Sequence, residues 1–245
     1  MNGREEDSVM GKLTEGQELV LLGEPGTKGI EVLSTRSPEK LRTRFSDRYL
    51  SEETKRSGRL KEALRKRSAV ELVSDYLPGF MEKYGVAKAV SVGRGGVLAS
   101  LWQFLAEEGL DPKTGRQVKP GPGCRFSLSA IPVSQFTIEV CELFQANPYR
   151  LLSENCWILA LDRGFQFVRD LLSAEELIAH QIEEENYNAK GLRAGFEGDH
   201  HARTEILLPA AVFGEITGDH QRLRTDTPGS AFLTKEHIDE LDRIC

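Results

Sequence analysis

A cysteine ends the chain, and among all the residues it has the clearest capacity for covalent chemistry. Cys245 closes the sequence DELDRIC, and a thiolate at a chain end can act as a nucleophile that reaches more than one site. The nearby Asp242 and the terminal carboxylate would raise the pKa of this thiol, so its reactivity requires a positive group from elsewhere. A terminal cysteine without any role is the alternative interpretation.

A glycine-rich loop is the second candidate site. Gly93, Arg94, Gly95 and Gly96 follow the short apolar segment AVSV, and the apolar residues behind them have helical spacing: Leu98, Leu101, Trp102 and Leu105. The pattern predicts a loop that opens an amphipathic helix. Backbone N–H groups at such a helix start, together with Arg94, could bind a phosphate group. A tight strand-to-helix turn that needs small residues explains the same pattern structurally.

The other cysteines and the histidines predict no metal site. Cys124, Cys141 and Cys156 are widely separated, without a CxxC pair or a histidine at metal-ligand spacing. Cys141 lies in the helical pattern TIEVCELF and Cys156 opens the apolar run CWILAL, so we expect both to be buried. The adjacent His200 and His201 project differently and lack a third ligand.

Composition and charge exclude two classes of partner. The 245 residues are 39% hydrophobic and 29% charged, and 38 acidic against 32 basic residues give a net charge of -6 without a basic face for nucleic acid. No apolar run approaches the ~20 residues of a membrane-spanning helix, and the start MNGREEDSVM has no signal-peptide core. We therefore expect a cytoplasmic protein without nucleic-acid or membrane partners.

Strand and helix patterns alternate along the chain. Five segments predict strands: ELVLL, AVSV, CRFSLS, CWILAL and AAVFGEIT. Helical patterns run from about Ser51 to Glu82, after Gly96, after the N-cap candidate Ser134, and from Phe165 to about Glu185. The interspersed elements predict an α/β (α+β) fold with a mixed sheet of about four to five strands covered by helices.

The order of these patterns also suggests domain bounds. We expect residues 1–12 to be disordered or a linker, and residues 13–217 to form one domain with insertions near 111–123 and 186–203. Residues 218–245 then form a C-terminal tail that ends in Cys245. The stretch KEHIDELD offers only Ile238 and Leu241 as apolar anchors, which predicts a poorly ordered tail with an accessible Cys245.

Several segments, in order, are similar to the motifs of one known family. GVAKAVSVGRGG resembles G-(I/V)-x-x-M-x-D-(P/V)-T-(R/E)-G-G, and ELVLLGEPGTKGIEVLS ahead of it resembles a strand, glycine loop and helix of that family. IPVSQFTIEVCELFQANPYRLLSENCWILAL follows the next family pattern with Pro148, Leu151 and Ser153 in register. AAVFGEIT is similar to the closing strand, and DELDRIC to the terminal P-R-I-C of carbamoyl dehydratases. The chain thus resembles the C-terminal domain of the aminoimidazole-ribonucleotide-synthase superfamily, in particular the hydrogenase maturation factors.

Four of the departures from the family pattern bear on the candidate sites and the turns beside them. Ser91 stands where Asp is usual, and Gly93 where Thr is usual, which removes the carboxylate most useful for metal or proton chemistry. Asn155 replaces a Gly before a strand, and Asn tolerates the left-handed conformation better than most residues. Asp242 replaces the Pro of the terminal motif.

The resemblance implies a carrier function for Cys245. In carbamoyl dehydratases a C-terminal cysteine accepts a carbamoyl group as a thiocarboxamide, which ATP-dependent dehydration converts to a thiocyanate. The family's N-terminal half, which binds ATP and magnesium, has no match here, and the twelve residues before Leu13 are too few to supply it. We therefore expect no cofactor bound by this chain alone, and ATP and magnesium only with a separate ATP-binding half.

Alternatives remain open at the level of sequence. The partners implied are such a separate half or hydrogenase maturation proteins, and oligomerisation is compatible with the pattern. The chain could instead be a non-catalytic module that binds a nucleotide or a partner, or a truncated product that is stable only beside its missing half. The sequence does not decide whether the chain is catalytically active.

Overall fold

The five apolar segments form the centre of one mixed sheet. The computed structural model describes residues 9–64, 69–111, 113–175, 208–226, 231–235 and 238–244. Its strands are β1 (Val9–Met10), β2 (Glu18–Leu22), β3 (Val86–Ser91), β4 (Gly123–Phe126), β5 (Trp157–Leu161), β6 (Ala210–Thr217), β7 (Arg222–Arg224) and β8 (Ala231–Phe232). The α/β class that the sequence predicts is therefore confirmed.

The sheet is larger than the sequence predicts. Within the described part of the chain it has eight strands in the order β1-β3-β5-β2-β6-β4-β7-β8, antiparallel except for the parallel pair β4–β7. The expected count of four to five strands was too low because β1, β7 and β8 have only two or three residues, too few to produce an alternating pattern. These edge strands also extend the sheet beyond the expected domain bounds, residues 13–217, at both ends.

Helices precede, separate and follow the strands. They are α1 (Thr27–Arg36), α2 (Pro38–Arg42), α3 (Asp47–Leu64), α4 (Ala69–Tyr76), α5 (Phe80–Tyr84), α6 (Gly96–Ala106), α7 (Gln135–Phe144), α8 (residues 164–175) and α9 (Glu240–Ile244). The expected N-cap of α7 is confirmed, because the Ser134 hydroxyl accepts the Thr137 N–H at 3.2 Å. No helix of the described part is long and apolar enough to cross a membrane.

Both faces of the central strands are buried. In β2, Leu19 and Leu21 point to a core that includes α6, whereas Val20 and Leu22 point to a second core built with α4, α5 and α8. A strand covered on both faces has no polar side, which explains why β2 and β5 are continuous apolar runs. The sheet is thus the middle layer of the fold.

A third core lies beside these layers and includes the end of the chain. It is formed by residues of α1, α2 and α7 together with Phe45 and Leu151. Leu241 of α9 is 9% exposed and packs into this core. The C-terminal region is therefore attached to the body of the molecule. The expected insertion at residues 186–203 lies outside the described residues.

Candidate functional site

The Gly93–Gly96 loop joins β3 to α6, as the sequence predicts. Gly95 and Gly96 have φ values of 77° and 65°, in the left-handed region that favours glycine. A Cβ on Gly96 would lie 2.5 Å from the carbonyl oxygen of Tyr149, so this position also requires the absence of a side chain. The loop therefore brings the start of α6 against the turn at Pro148–Arg150.

Most amide groups of this loop already have acceptors. The Gly93 N–H donates to the Ser100 hydroxyl at 3.4 Å, and the Gly96 N–H donates to the Gly93 carbonyl at 3.1 Å. The Gly95 N–H donates to the carboxylate of Asp239 at 2.7 Å. The loop therefore binds a carboxylate of the chain itself through Gly95, and its expected binding of a phosphate stays a prediction.

Asp239 begins the C-terminal segment, which we define as residues 239–244. Its side chain is 2% exposed, and its second oxygen accepts the Leu241 N–H at 2.9 Å. The segment also contacts the loop through an exposed ion pair between Asp242 and Arg94. The loop, one candidate site of the sequence, thus lies beside the segment that leads to Cys245, the other candidate site. Cys245 itself is outside the described residues.

The expectation of an unanchored tail is wrong for this segment. That expectation rested on the apolar residues of KEHIDELD, which are only Ile238 and Leu241, and it left out Asp239 as a polar anchor. Ile238 is indeed 70% exposed, but Leu241 is buried and Asp239 is bound by the loop. Nothing in the alternation of acidic residues along KEHIDELD distinguishes Asp239 from its neighbours. Its role becomes visible only once the segment is placed on α6.

A second glycine loop, Gly23–Gly29, lies near the first and is connected to it by Ser153. The Ser153 hydroxyl accepts the Gly26 N–H at 2.8 Å and donates to the Leu151 carbonyl at 3.1 Å. The Ser153 N–H donates to the Gly93 carbonyl at 3.3 Å. The sequence indicated Ser153 only as a position in the family pattern, and the structure shows it bridging both loops. The left-handed turn expected at Asn155 is also present, with φ 58°.

A buried carboxylate occupies the Gly23–Gly29 loop. Glu24 is 6% exposed, and one of its oxygens lies 3.5 Å from the Arg56 guanidinium while the other has no hydrogen-bond partner. Arg56 also binds Glu53 at 2.9 Å. Burial and the negative charge of Glu24 both raise the pKa of the Cys156 thiol. An acidic group in this loop disfavours a second anion there.

The internal cysteines are buried and chemically inert. Cys124, Cys141 and Cys156 are at most 1% exposed, which confirms the burial expected for Cys141 and Cys156. Burial raises the pKa of Cys124 and of Cys141 to about 12. In Cys141 the nearby Glu240 of α9 adds to this effect. None of the three thiols has the exposure or the low pKa that a reactive cysteine requires.

Two further observations concern metal ligands and cavities. The described residues contain no group of three or more His, Cys, Asp or Glu side chains that could hold a metal ion. A groove of about 490 Å³ lies elsewhere, between α1, α2 and α3, with Ile30, Leu41, Leu50 and Phe136 among its apolar lining. Neither the Gly93–Gly96 loop nor the C-terminal segment lines that groove.

Comparison with known proteins places this geometry in a known fold. No protein-family model matches the sequence, and no curated protein is significantly similar to it. A structure of E. coli HypE, a hydrogenase maturation protein, matches with a TM-score of 0.54 and 20% identity over 95% of this chain and 54% of that one. Another HypE structure matches with a TM-score of 0.55 and 17% identity over 96% and 57% of the two chains.

The match extends to HypE in a complex. HypE bound to HypF matches with a TM-score of 0.52 and 15% identity, over 92% of this chain and 54% of that chain. The present chain therefore spans about half the length of the HypE structures that it matches. At these identities the likeness establishes the fold alone: this chain shares the α/β fold of the HypE structures that it matches.

Proposed function

We propose that the chain is a hydrogenase-maturation-factor-like protein in which Cys245 carries a carbamoyl group, and that it works with an ATP-binding half. One observation carries this proposal: the hydrogen bond between Asp239 and Gly95 attaches the region before Cys245 to the loop that the sequence offers as a phosphate-binding candidate. A carrier thiol needs to reach such a loop if a phosphorylated intermediate forms on its cargo. The likeness to HypE supports the same assignment.

The proposed chemistry has two steps. The Cys245 thiolate attacks the carbonyl carbon of an activated carbamoyl donor, and the donor's leaving group departs to give a thiocarboxamide. The thiocarboxamide oxygen then attacks the γ-phosphorus of ATP, and ADP leaves. Loss of two protons from nitrogen, with departure of phosphate carrying the oxygen, gives the thiocyanate. The ATP-binding half would supply the nucleotide and magnesium for the second step.

Arg94 would favour the first step. Asp242 and the terminal carboxylate disfavour a thiolate at Cys245 by charge repulsion. The Arg94 guanidinium pairs with Asp242 and is itself 66% exposed, so it offsets one of these two negative charges close to the chain end. We assign this role to Arg94 in addition to the phosphate contact that the sequence suggests for it.

The test is loading of Cys245. The full chain is incubated with HypF, carbamoyl phosphate and Mg-ATP, with E. coli HypE in parallel, and intact masses are recorded. We expect the mass to increase by one carbamoyl group, on Cys245 in the peptide map. Cys245→Ser should abolish the increase, whereas Cys141→Ala should retain it because that thiol is buried. An unmodified Cys245 beside a loaded HypE would refute the carrier function.

A second candidate function also has an observation in its favour. The Gly95 N–H is already satisfied by Asp239, and Ser91 stands where the family has Asp, which together suit a non-catalytic module that binds a partner. Such a module would bind HypF without accepting a carbamoyl group. Measuring HypF binding by analytical ultracentrifugation in the same samples separates the two functions.

A further inference from the structure

We propose that Asp239 is a latch that holds the C-terminal segment, residues 239–244, on the Gly93–Gly96 loop and thereby controls how often the segment that precedes Cys245 is released from the loop. The inference rests on the proposed function only in treating Cys245 as the carrier. The latch itself is a contact between described residues. Asp239 is accordingly a positioning residue and takes no part in a covalent step.

The carboxylate of Asp239 depends on two backbone donors. One oxygen accepts the Gly95 N–H at 2.7 Å and the other accepts the Leu241 N–H at 2.9 Å. The side chain is 2% exposed, and no cation pairs with it among the described residues. A buried charge without a counter-ion is stable only while its hydrogen bonds persist. Loss of the Gly95 contact therefore favours return of Asp239 to water, together with its segment.

The N-terminus of α6 further stabilises the Asp239 carboxylate on the loop. The helix has eleven residues, and Gly95 immediately precedes its first turn. The helix dipole gives this end a partial positive charge, which stabilises a carboxylate. A neutral side chain at position 239 would lose this attraction even if it kept a similar shape.

Besides Asp239, the segment has apolar contacts with the third core and two exposed polar contacts. In one of these polar contacts the Arg243 guanidinium, 51% exposed, donates to the Gln145 carbonyl. Leu241 is its buried apolar anchor, and Ile244 packs at the margin of the same core. The Arg94–Asp242 pair is exposed on both sides, with 66% and 44% of the side chains accessible, and such pairs contribute little. Helix α9 has only five residues and is too short to persist without docking. Release of the latch should therefore unfold α9 as one unit.

Hydrogen exchange of the full chain tests the latch. Exchange is measured in the regime where its rate follows the population of the state in which the segment is released. The C-terminal peptide then reports on the segment, and the peptide that contains Gly95 reports on the loop. We expect Asp239→Ala to accelerate exchange in both peptides by at least about tenfold, since a charge-assisted hydrogen bond is lost. Asp242→Ala, the matched control at the exposed pair, should accelerate it by less than about threefold. Exchange in β5 serves as the reference for global stability.

A second variant keeps the test decisive if Asp239→Ala proves unstable. Asp239→Asn preserves size and an acceptor oxygen but removes the charge, so it should accelerate exchange in the same two peptides by a smaller factor. Equal exchange in wild type, Asp239→Ala and Asp239→Asn would overturn the latch. An effect of Asp242→Ala as large as that of Asp239→Ala would also overturn it, because the exposed ion pair would then hold the segment.

The latch and the carrier function can fail separately. Exchange requires no carbamoyl donor, so acceleration by Asp239→Ala supports the latch even if Cys245 accepts no carbamoyl group. Conversely, loading of Cys245 with unchanged exchange would retain the carrier function and discard the latch.

Discussion

At the scale of single residues, two polar side chains organise the candidate site. Ser153 bridges the two glycine loops, and Asp239 attaches the C-terminal segment to one of them. Both are almost completely buried, at 1% and 2% exposure. Each satisfies backbone N–H groups that would otherwise be unpaired in the interior. The cysteines, in contrast, divide into three buried thiols and one at the chain end.

This division predicts an order of reactivity toward iodoacetamide. With a pKa of about 12, Cys124 and Cys141 have only ~1 thiolate in 10,000 molecules at pH 8, and burial blocks access as well. We expect native-state alkylation followed by peptide mapping to label Cys245 first. Labelling after denaturation provides the control, in which all four cysteines should react. Rapid native labelling of Cys141 or Cys156 with protection of Cys245 would contradict both the described packing and the carrier function.

At the scale of elements, strands and helices are held together by a few buried polar contacts as well as by apolar packing. Lys88 of β3 is 1% exposed, donates to the Phe104 carbonyl at 2.8 Å and pairs with Glu107 at 3.0 Å. It thereby attaches β3 to the last turn of α6, where a cation also complements the helix dipole. Glu175 is a second buried ionisable group, in α8, whose carboxyl oxygen accepts the Leu208 N–H at 3.1 Å.

Replacement of Lys88 should destabilise the fold. Lys88→Ala leaves the Phe104 carbonyl and Glu107 without their buried partner, so we expect the free energy of unfolding to fall by roughly 3 kcal/mol in urea titration. Lys83→Ala serves as the control, because Lys83 is 49% exposed and pairs with Asp170 at the surface. Its effect should be much smaller. If both variants lowered the free energy of unfolding by a similar amount, burial of Lys88 would add nothing to the stability of the fold.

Glu175 predicts a pH dependence of stability. Burial raises the pKa of Glu175 from 4.5 to about 7, so between these values the folded chain binds a proton that the unfolded chain has lost. The contribution of Glu175 to stability is therefore largest at low pH and decreases as pH rises through this window, by at most about 1.4 kcal/mol per pH unit. Glu175→Gln should remove this contribution. Parallel melting-temperature profiles of wild type and variant across the window would contradict the prediction.

The elements also show what sequence can predict. The five central strands were predictable because burial on both faces or alternation leaves a clear apolar signal, and the Gly93–Gly96 loop was predictable because only glycine suits its turn. The edge strands are too short to carry such a signal. The contact of Asp239 was not predictable, because Asp239, Glu240 and Asp242 are chemically alike in sequence and only tertiary packing selects one of them.

At the scale of the whole molecule, the chain has the fold of about half of HypE, and the chemistry we propose requires an ATP-binding half. Phosphoryl transfer depends on positioned metal ions and cationic groups around the nucleotide. Ser91 provides a hydroxyl where the family that the sequence resembles has a carboxylate, so we expect this position to offer magnesium a weaker ligand.

We therefore expect the purified chain alone neither to hydrolyse ATP nor to bind Mg-ATP at micromolar concentration. Isothermal titration calorimetry and a phosphate-release assay measure the two properties. E. coli HypE, run under the same conditions, is the reference for an intact fold of full length. Tight binding of Mg-ATP by the isolated chain would show that the nucleotide site is contained within these residues.

The docked carboxylate has a quantitative consequence for any free phosphate. Asp239 is tethered to the loop that binds it, and a group on a short tether acts at an effective concentration in the millimolar range, as an order of magnitude. A phosphate with the same intrinsic affinity for the Gly95 N–H would have to reach a similar concentration to displace half of the Asp239 carboxylates. If the loop binds phosphate, as we propose, Asp239 would discriminate against dilute phosphates in solution and favour a phosphate that is delivered locally, by a bound partner or on the proposed cargo.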